Sequence, residues 1–456
     1  MASHPTYEAH GQPYVDETTS MTAEKQDSKG TRDVFGEDGS HQIQYKTLSW
    51  QAVSLLMIAE IVSNGILSLP SALAVVGIVP AVILIVFLGI FGLYTAKLLI
   101  DFKLNHPNVH TMGDAGYIMF GPVAREVLAF GTVSFAVFGS GSGLLSSQQA
   151  LSTLSNQGMC SMYLVLITGA VAFLISLPRT LDRLAWMGLV SAAVIAIAGF
   201  IAMIGAGVNP VPGRTLTVAA SSNFFDAFLA VTNPVGFCIC RYGILFFILI
   251  SEMRKPEEAI KAAWCLQGFA TIFYVVFSVV MYVYIGNTVQ SPVLFSLPPV
   301  WAKAAFAIAL PNFLFSSGLY THTATKLVFV RIFRHSEHVH SHTLLGWTVW
   351  TLLCLAGSAL AAILAIAVPI FSYLIGIAAA LFAAWYTYGL AGFFWLHDAY
   401  HLEGGMDGLK RRPIGTTLAV LTILSGTFIC VAGTYVSIKL IVEAYADGQV
   451  GRPFVC

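Results

Sequence analysis

Residues Met57–Pro70 read MIAEIVSNGILSLP and lie inside the first long apolar stretch of the chain. Gly65 weakens a helix, and Ser63 and Asn64 before it add to the effect. Pro70 removes one backbone donor and frees a carbonyl about one turn earlier. Unpaired backbone at membrane depth persists only where it lines a cavity or is buried in protein. The stretch therefore predicts either a helix broken at a binding cavity or a kinked packing helix with small residues at a crossing.

The composition places this stretch in a membrane. Of the 456 residues, 57% are apolar and only 10% are charged, whereas soluble globular proteins carry about 25% charged residues. A compact soluble domain cannot hide that much apolar surface, so lipid is the expected solvent. The 23 basic residues balance 23 acidic ones, and nucleic-acid binding needs clustered positive charge. We therefore exclude a cytosolic enzyme, a secreted disulfide scaffold and a nucleic-acid partner.

Eleven apolar runs follow one another along the chain. A membrane-crossing helix needs about 20 apolar residues, because each residue adds about 1.5 Å towards roughly 30 Å of hydrocarbon. The runs are continuous rather than alternating, which favours helices over barrel strands. We predict an all-α membrane protein with about eleven transmembrane helices. Spans 1 to 11 are predicted at Leu48–Val76, Val79–Leu99, Val127–Leu151, Met162–Leu177, Leu184–Ile204, Phe224–Ile250, Cys265–Ile285, Ala302–Val330, Leu344–Ala367, Phe371–Leu396 and Leu418–Val442.

The polar ends and the basic residues indicate how the chain lies in the membrane. Residues 1–46 predict a disordered cytoplasmic tail, residues 47–442 a membrane domain, and residues 443–456 a short extracytoplasmic tail. With the N-terminus in the cytoplasm, 18 of the 23 Lys and Arg residues lie on the cytoplasmic side and four on the other side. The remaining one, Arg241, lies within span 6. This asymmetry is the positive-inside pattern, so we expect a cytoplasmic N-terminus.

Two ionisable residues within the spans are candidates for proton coupling. Glu60 lies about one turn before the predicted break, where an ionised carboxylate costs a few kcal/mol and is usually functional. Burial favours the protonated form, so Glu60 is suited to taking up a proton. The alternative is a permanently protonated Glu60 that hydrogen-bonds another helix. His322 in span 8 is the second candidate for a proton relay, and an interfacial hydrogen-bonding histidine is the alternative there.

Three motifs, taken in order along the chain, resemble the amino acid/auxin permease family. They are Gly65–Pro70 (GILSLP), Gly113–Pro122 (GDAGY followed by FGP) and Ser251–Pro256 (SEMRKP). The chain is most similar to the fungal neutral amino acid permeases of that family, over about residues 46–442. The resemblance implies a LeuT/APC-like fold with two inverted repeats of five helices. These repeats would cover about residues 47–206 and 223–397, with an extra helix at residues 415–442.

The resemblance also implies the substrate site and the activity. It places an amino acid between the broken spans 1 and 6, walled by spans 3 and 8. The implied substrate-binding residues are Ser63, Asn64, Gly65, Ile66 and, on span 6, Asn233. Sodium-coupled relatives carry a polar ligand on span 1 where this chain has Ile58-Ala59, which favours proton symport of neutral aliphatic or aromatic amino acids.

The resemblance leaves the membrane and the exact role open. We expect the plasma membrane, with an exporter in the vacuolar membrane as the alternative. A sensor that binds an amino acid without moving it is a further alternative. An intramembrane enzyme is the weakest reading, because no Asp pair, Ser/His dyad or HExxH motif lies in the spans. No cofactor is expected, and the expected partners are the amino acid, the proton and the lipid bilayer.

Span 6 departs from the family pattern between Pro234 and Leu245. This segment puts Arg241, Cys238 and Cys240 where substrate is expected. One explanation is an altered site in which Arg241 meets an anionic group. The other, which we favour, is an error in the gene model, because codons for Gly236–Leu245 can be chosen so that a one-base shift reads VFAYVGMAYF, as in the family. Sequencing the transcript decides between them, and an unpaired Arg in the bilayer would leave the chain as written inactive.

The loop His335–His342 reads HSEHVHSH and invites a metal interpretation. Four histidines and a glutamate are ligand types that Zn²⁺ accepts. The alternation has no supporting second cluster nearby in the sequence, so we expect no metal site.

Overall fold

The computed structural model describes residues 46–219, 223–238, 242–334, 336–368, 370–402 and 404–448. Most of the two predicted tails, and the departure from the family pattern at residues 239–241, lie outside these residues. The described chain is helical, with a single isolated bridge between Leu48 and Met253. The predicted all-α class is therefore confirmed.

Eight helices in this part of the chain are long and apolar enough to cross a membrane. They correspond to predicted spans 2, 3, 5, 7, 8, 9, 10 and 11. Span 10 includes two π-helical segments, Ala379–Ala383 and Trp385–Gly389. The eight helices are Ile78–Asn105, Pro122–Leu154, Leu184–Val208, Pro256–Ile285, Pro299–Phe333, Leu344–Ala367, Tyr373–Leu402 and Pro413–Ala446.

Of the other three predicted spans, one is short, one is divided, and one is described only on either side of residues 239–241. Span 4 is the 16-residue helix Ser161–Ser176. Span 6 is described as the helices Phe224–Cys238 and Tyr242–Ser251. Span 1 is divided by a break that is examined below with the candidate site. Eleven crossings therefore remain a prediction. Two shorter helices, Met112–Phe120 and Met406–Arg411, precede spans 3 and 11.

The outer faces of the helices are apolar, as a lipid environment requires. Span 11 shows this most clearly, because Leu424, Phe428 and Val431 are each at least 60% exposed. A soluble protein rarely exposes such a continuous apolar face. The exposed face therefore supports a membrane location.

Spans 1 and 2 are joined at Gly77, which ends one helix and begins the next. Its φ of +94° is in the region that favours glycine, and a Cβ there would lie 2.6 Å from the Cα of Ala219. The amides of Ile78 and Val79 donate to the carbonyls of Thr217 and Val218 at 3.0 and 3.1 Å. The segment after span 5 is thereby held against the joint.

Spans 3 and 8 pack closely along their length because span 3 is rich in glycine. A Cβ on Gly139 would lie 2.9 Å from the ring of Tyr320, and a Cβ on Gly143 would lie 3.1 Å from the carbonyl oxygen of Phe313. The hydroxyls of Ser140 and Thr321 are 2.9 Å apart across the same contact. Small residues on span 3 thus serve close helix packing.

Candidate functional site

Span 1 is broken near its middle. The first helix, Trp50–Ile61, ends where the amide of Val62 donates to Ile58 at 2.9 Å. Ser63 then leaves helical geometry with a ψ of −135°, and a short 3-10 segment, Asn64–Ser68, follows. The predicted interruption of the helix is confirmed, and its role in lining a binding cavity stays a prediction.

The break lies earlier than the proline alone suggests. The second helix of span 1 is Leu69–Val76, and Pro70 lies in its first turn. The missing amide of a proline costs no helical bond in that position, and its fixed φ favours helix initiation. Pro70 therefore starts the second helix, and the interruption itself falls at Val62 and Ser63.

Asn312 of span 8 braces the break from one side. Its side chain is fully buried. Its Oδ1 accepts the Ser63 hydroxyl at 2.7 Å, and its Nδ2 donates to the carbonyl of Ala59 at 2.8 Å and to the Ser191 hydroxyl at 2.8 Å. One amide side chain therefore joins spans 1, 5 and 8 where the first helix ends. The Ser63 hydroxyl, predicted to face substrate, is directed to Asn312 instead.

Span 7 provides a second brace. The Tyr274 hydroxyl donates to the carbonyl of Ile61 at 2.7 Å, and the Tyr274 side chain is fully buried. The last carbonyls of a helix have no partner within it, so each needs one from elsewhere. Asn312 and Tyr274 supply such partners to Ala59 and Ile61. Neither residue stands out in the sequence as part of a site. A polar Asn312 next to Pro311 inside an apolar span could have indicated a buried hydrogen-bonding role.

The other side of the break presents amide groups. Asn64, Gly65 and Ile66 open the 3-10 segment, and the first amides of such a segment have no carbonyl partner within it. Ser68 closes the segment by donating its hydroxyl to the Gly65 carbonyl at 3.0 Å. The negative end of the dipole of helix Trp50–Ile61 and the positive end of the dipole of the following segment meet at Ser63.

The broken segment is surrounded by the elements that the resemblance predicts and by two others. It contacts span 3, the first helix of span 6, span 7 and the short 3-10 turn Val293–Ser296. Ser63, Gly65 and Ile66 are all buried there. The side chains of Glu60, Asn64 and Asn233 lie outside the described part of the structure, so their predicted roles stay predictions.

A buried ion pair lies towards the predicted cytoplasmic side. Lys326 of span 8 contacts the carboxylate of Glu252, which ends span 6, and both side chains are at most 3% exposed. The backbone around Glu252 binds Leu48, two residues before the first helix of span 1 begins. The Leu48 amide donates to the Glu252 carbonyl at 3.0 Å, and the Arg254 amide donates to the Leu48 carbonyl at 2.9 Å. The SEMRKP motif therefore ties span 6 to spans 1 and 8. The sequence marks the motif but counts Lys326 only as a topology charge.

His322 lies away from the break. It is fully buried, its Nδ1 is 3.3 Å from the carbonyl oxygen of Ser176, and its ring packs edge-on against Trp350 at 5.3 Å between centroids. Asn312, which contacts the break, is ten residues earlier on the same helix, or about 15 Å along its axis. His322 thus contacts spans 4 and 9, and its role in a proton relay stays a prediction.

Comparison with known proteins places these features in a wider group. A family model described as "Transmembrane amino acid transporter protein" matches residues 46–439. A "Transmembrane transporter" of Gibberella moniliformis is 30% identical over 435 residues, covering 93% of this chain and 90% of that protein. The "N amino acid transport system protein" of Neurospora crassa is 29% identical over 440 residues, covering 94% of this chain and 92% of that protein.

One solved structure shares the fold. It is described as the substrate-bound outward-open state of a Na⁺-coupled sialic acid symporter, and it aligns with a TM-score of 0.54 over 89% of this chain and 93% of that one. The sequence identity is 12%, so the similarity concerns the fold alone.

Proposed function

The chain belongs to the transmembrane amino acid transporter family, and from this we propose that it carries neutral amino acids across the membrane together with protons. Amino acid transport follows from the family. The preference for neutral aliphatic or aromatic substrates and the coupling to protons are our proposal.

The broken span 1 is the observation that carries the proposal. An amino acid is a zwitterion, and the break brings together the carbonyl end of one helix and the amide end of the next. The amides that open the Asn64–Ser68 segment suit the carboxylate, and the carbonyl end of Trp50–Ile61 suits the ammonium group. In this scheme Gly65 and Ile66 contribute backbone amides, Ser63 contributes backbone groups, and Asn64 and Asn233 contribute side chains.

The brace around the break supports proton rather than sodium coupling. Broken-helix transporters coordinate sodium with carbonyls at the end of the first half-helix. Here the carbonyls of Ala59 and Ile61 already accept hydrogen bonds from Asn312 and Tyr274. Each of these oxygens thus already has a protein donor on one of its two lone pairs. Glu60, one residue beyond Ala59, is our candidate for carrying the coupled proton.

We further propose the arrangement that the family resemblance implies. Spans 1–5 and 6–10 form two inverted repeats, span 11 lies outside them, and alternating access comes from one group of helices moving against the other. The break described in span 1, the first span of the first proposed repeat, supports this. In this proposal the N-terminus is cytoplasmic and the membrane is the plasma membrane. Protease protection of a tag at either end tests the orientation, and microscopy of the tagged protein tests the membrane.

Uptake of labelled amino acid into proteoliposomes tests the function. We expect an imposed inward proton gradient to drive accumulation of neutral amino acids, and an imposed sodium gradient to have no effect. Binding without accumulation would favour the sensor alternative. The matched comparison is a chain carrying VFAYVGMAYF at residues 236–245, because a frame error predicts that only this version transports.

Glu60→Gln tests the coupling residue. A glutamine cannot exchange a proton, so we expect gradient-driven accumulation to fall to the level reached without a gradient, while exchange of labelled for unlabelled amino acid continues. The measurement is uptake against the imposed pH difference, in whichever version of residues 236–245 transports. Glu443→Gln, at an exposed position near the end of span 11, is the control and should keep full accumulation. Accumulation by Glu60→Gln that still depends fully on the imposed pH difference would disprove the role of Glu60 in proton coupling.

A further inference from the structure

Two histidines and an aspartate meet at the predicted cytoplasmic ends of spans 2 and 10. His106 directly follows the helix of span 2, and His397 and Asp398 lie near the end of span 10. Asp398 Oδ1 lies 2.9 Å from His106 Nε2 and 3.2 Å from His397 Nδ1. One ligand atom from each of the three residues falls within 4.8 Å of the others. We propose that His106, His397 and Asp398 bind a divalent transition-metal ion of the zinc class.

The donor set and its spacing fit such an ion. Imidazole nitrogen and carboxylate oxygen are ordinary ligands of Zn²⁺, and with metal–nitrogen distances near 2.0–2.1 Å the ligand atoms of a tetrahedral site lie about 3.3 Å apart. The separations of 2.9 and 3.2 Å to Asp398 are close to that value. In the metal-free form the same atoms share hydrogen bonds. For a metal to bind, the N–H of each neutral imidazole must lie on the other ring nitrogen, which leaves Nε2 of His106 and Nδ1 of His397 as ligand atoms.

The surroundings hold the three ligands in place. Asn105 Nδ2 donates to Asp398 Oδ2 at 2.8 Å, which leaves Oδ1 directed at the two imidazoles. The ring of Phe102 lies 4.5 Å from that of His106 and 4.4 Å from that of Phe394, so the two helices are packed together just beside the cluster. Hydrogen bonds to a ligand's outer atom commonly change metal affinity by about 10–100-fold. Asn105 is therefore a positioning residue of the proposed site.

An ion can reach the cluster from outside the helix bundle. A cavity of about 260 Å³ borders Asp398, and Asp101, Asn105, Trp395 and Arg412 are among the residues that line it. The side chains of His106, His397 and Asp398 are 14–18% exposed, so each is partly open to its surroundings. Asp101 provides a negative charge in the same cavity that offsets Arg412. The site would join spans 2 and 10, which meet through Phe102 and Phe394.

This inference departs from the expectation of no metal site. The sequence drew attention only to the histidine-rich loop at residues 335–342, whereas His106 and His397 are far apart along the chain. The proposal does not depend on transport, since metal binding is measured on the isolated protein. Failure of the metal site would leave the proposed function untouched.

Metal binding to the purified full-length protein tests the site. The protein is stripped with a chelator and titrated with Zn²⁺ in equilibrium dialysis, and bound metal is counted by mass spectrometry. We expect about one Zn²⁺ per chain and, with Co²⁺ in its place, the visible absorption bands of a tetrahedral ion. His397→Asn and Asp398→Asn should lose this binding, and Asn105→Ala should weaken it by about 10–100-fold.

The loop histidines supply the matched control. The combined variant His338→Asn, His340→Asn and His342→Asn removes as many candidate ligands elsewhere and should still bind one ion. Size-exclusion chromatography checks that each variant is folded. If His397→Asn does not fold, the Zn²⁺ affinity of Asn105→Ala tests the proposed site instead. No bound Zn²⁺, undiminished binding by His397→Asn or Asn105→Ala, or loss of binding only in the loop variant would each overturn the proposal.

Discussion

Lys326→Met is expected to destabilise the protein by about 3–5 kcal/mol, because it removes a positive charge that contacts the buried carboxylate of Glu252. Lys326 and Glu252 are both almost completely buried and contact each other between spans 8 and 6. The cost arises from desolvation, since a carboxylate removed from water needs a compensating charge or hydrogen bonds. The midpoint of thermal unfolding of the detergent-solubilised protein measures the effect.

The double variant Glu252→Gln/Lys326→Met separates a charge effect from a shape effect. Replacing both members of a buried pair by neutral groups is often close to neutral, so we expect the double variant to recover most of the lost stability. Arg331→Met is the surface control, because Arg331 of span 8 pairs with Glu126 of span 3 and both side chains are about half exposed. A double variant as unstable as Lys326→Met would refute the explanation.

Asn312→Ala is expected to disrupt the break in span 1 itself. The substitution removes the partner of the Ser63 hydroxyl, the Ala59 carbonyl and the Ser191 hydroxyl at once. Each buried polar group left unsatisfied costs about 1–3 kcal/mol, so the total loss is about 3 kcal/mol or more. If the distorted break weakens the binding free energy of the substrate by only about 1.4 kcal/mol, its affinity falls about tenfold. We expect amino acid uptake to fall by at least that factor.

Two variants make this prediction specific. Asn312→Asp keeps the acceptor for Ser63 but, once ionised, offers no donor to Ala59, so it should be as impaired as the alanine variant. Asn209→Ala removes an asparagine whose Nδ2 donates only locally, to the Gly205 carbonyl at the end of span 5, and should transport normally. Uptake by Asn312→Ala at the unaltered rate, with an unchanged thermal midpoint, would show that Asn312 does not brace the break.

Several features could be predicted from the sequence because they depend on local composition. Continuous apolar runs identify crossing helices whatever their neighbours, and the run at residues 344–367 matches its helix at both ends. The break in span 1 was also local, since Ser63, Asn64 and Gly65 all disfavour a helix. Pro70 was misleading only in its detailed role, because a proline within an apolar run can either interrupt a helix or begin one.

Features that join distant residues could not be predicted in this way. Ser63 and Asn312 are 249 residues apart, and His106 and Asp398 are 292 residues apart. No local pattern indicates that such residues will meet, because their proximity results from how the helices pack. Lys326 illustrates the limit, since in the sequence it is one basic residue among the many on the inner side.

The sequence alone determined that this chain is a membrane-embedded helical protein whose first crossing is interrupted, because burial in lipid and helix propensity act residue by residue. Only the tertiary structure decided which partners stabilise the interruption, which charges are paired in the interior and which histidines lie together. Those outcomes depend on the rotation and depth of each helix against its neighbours, and the close approach of glycine-rich span 3 to span 8 shows that such packing is set by pairs of surfaces.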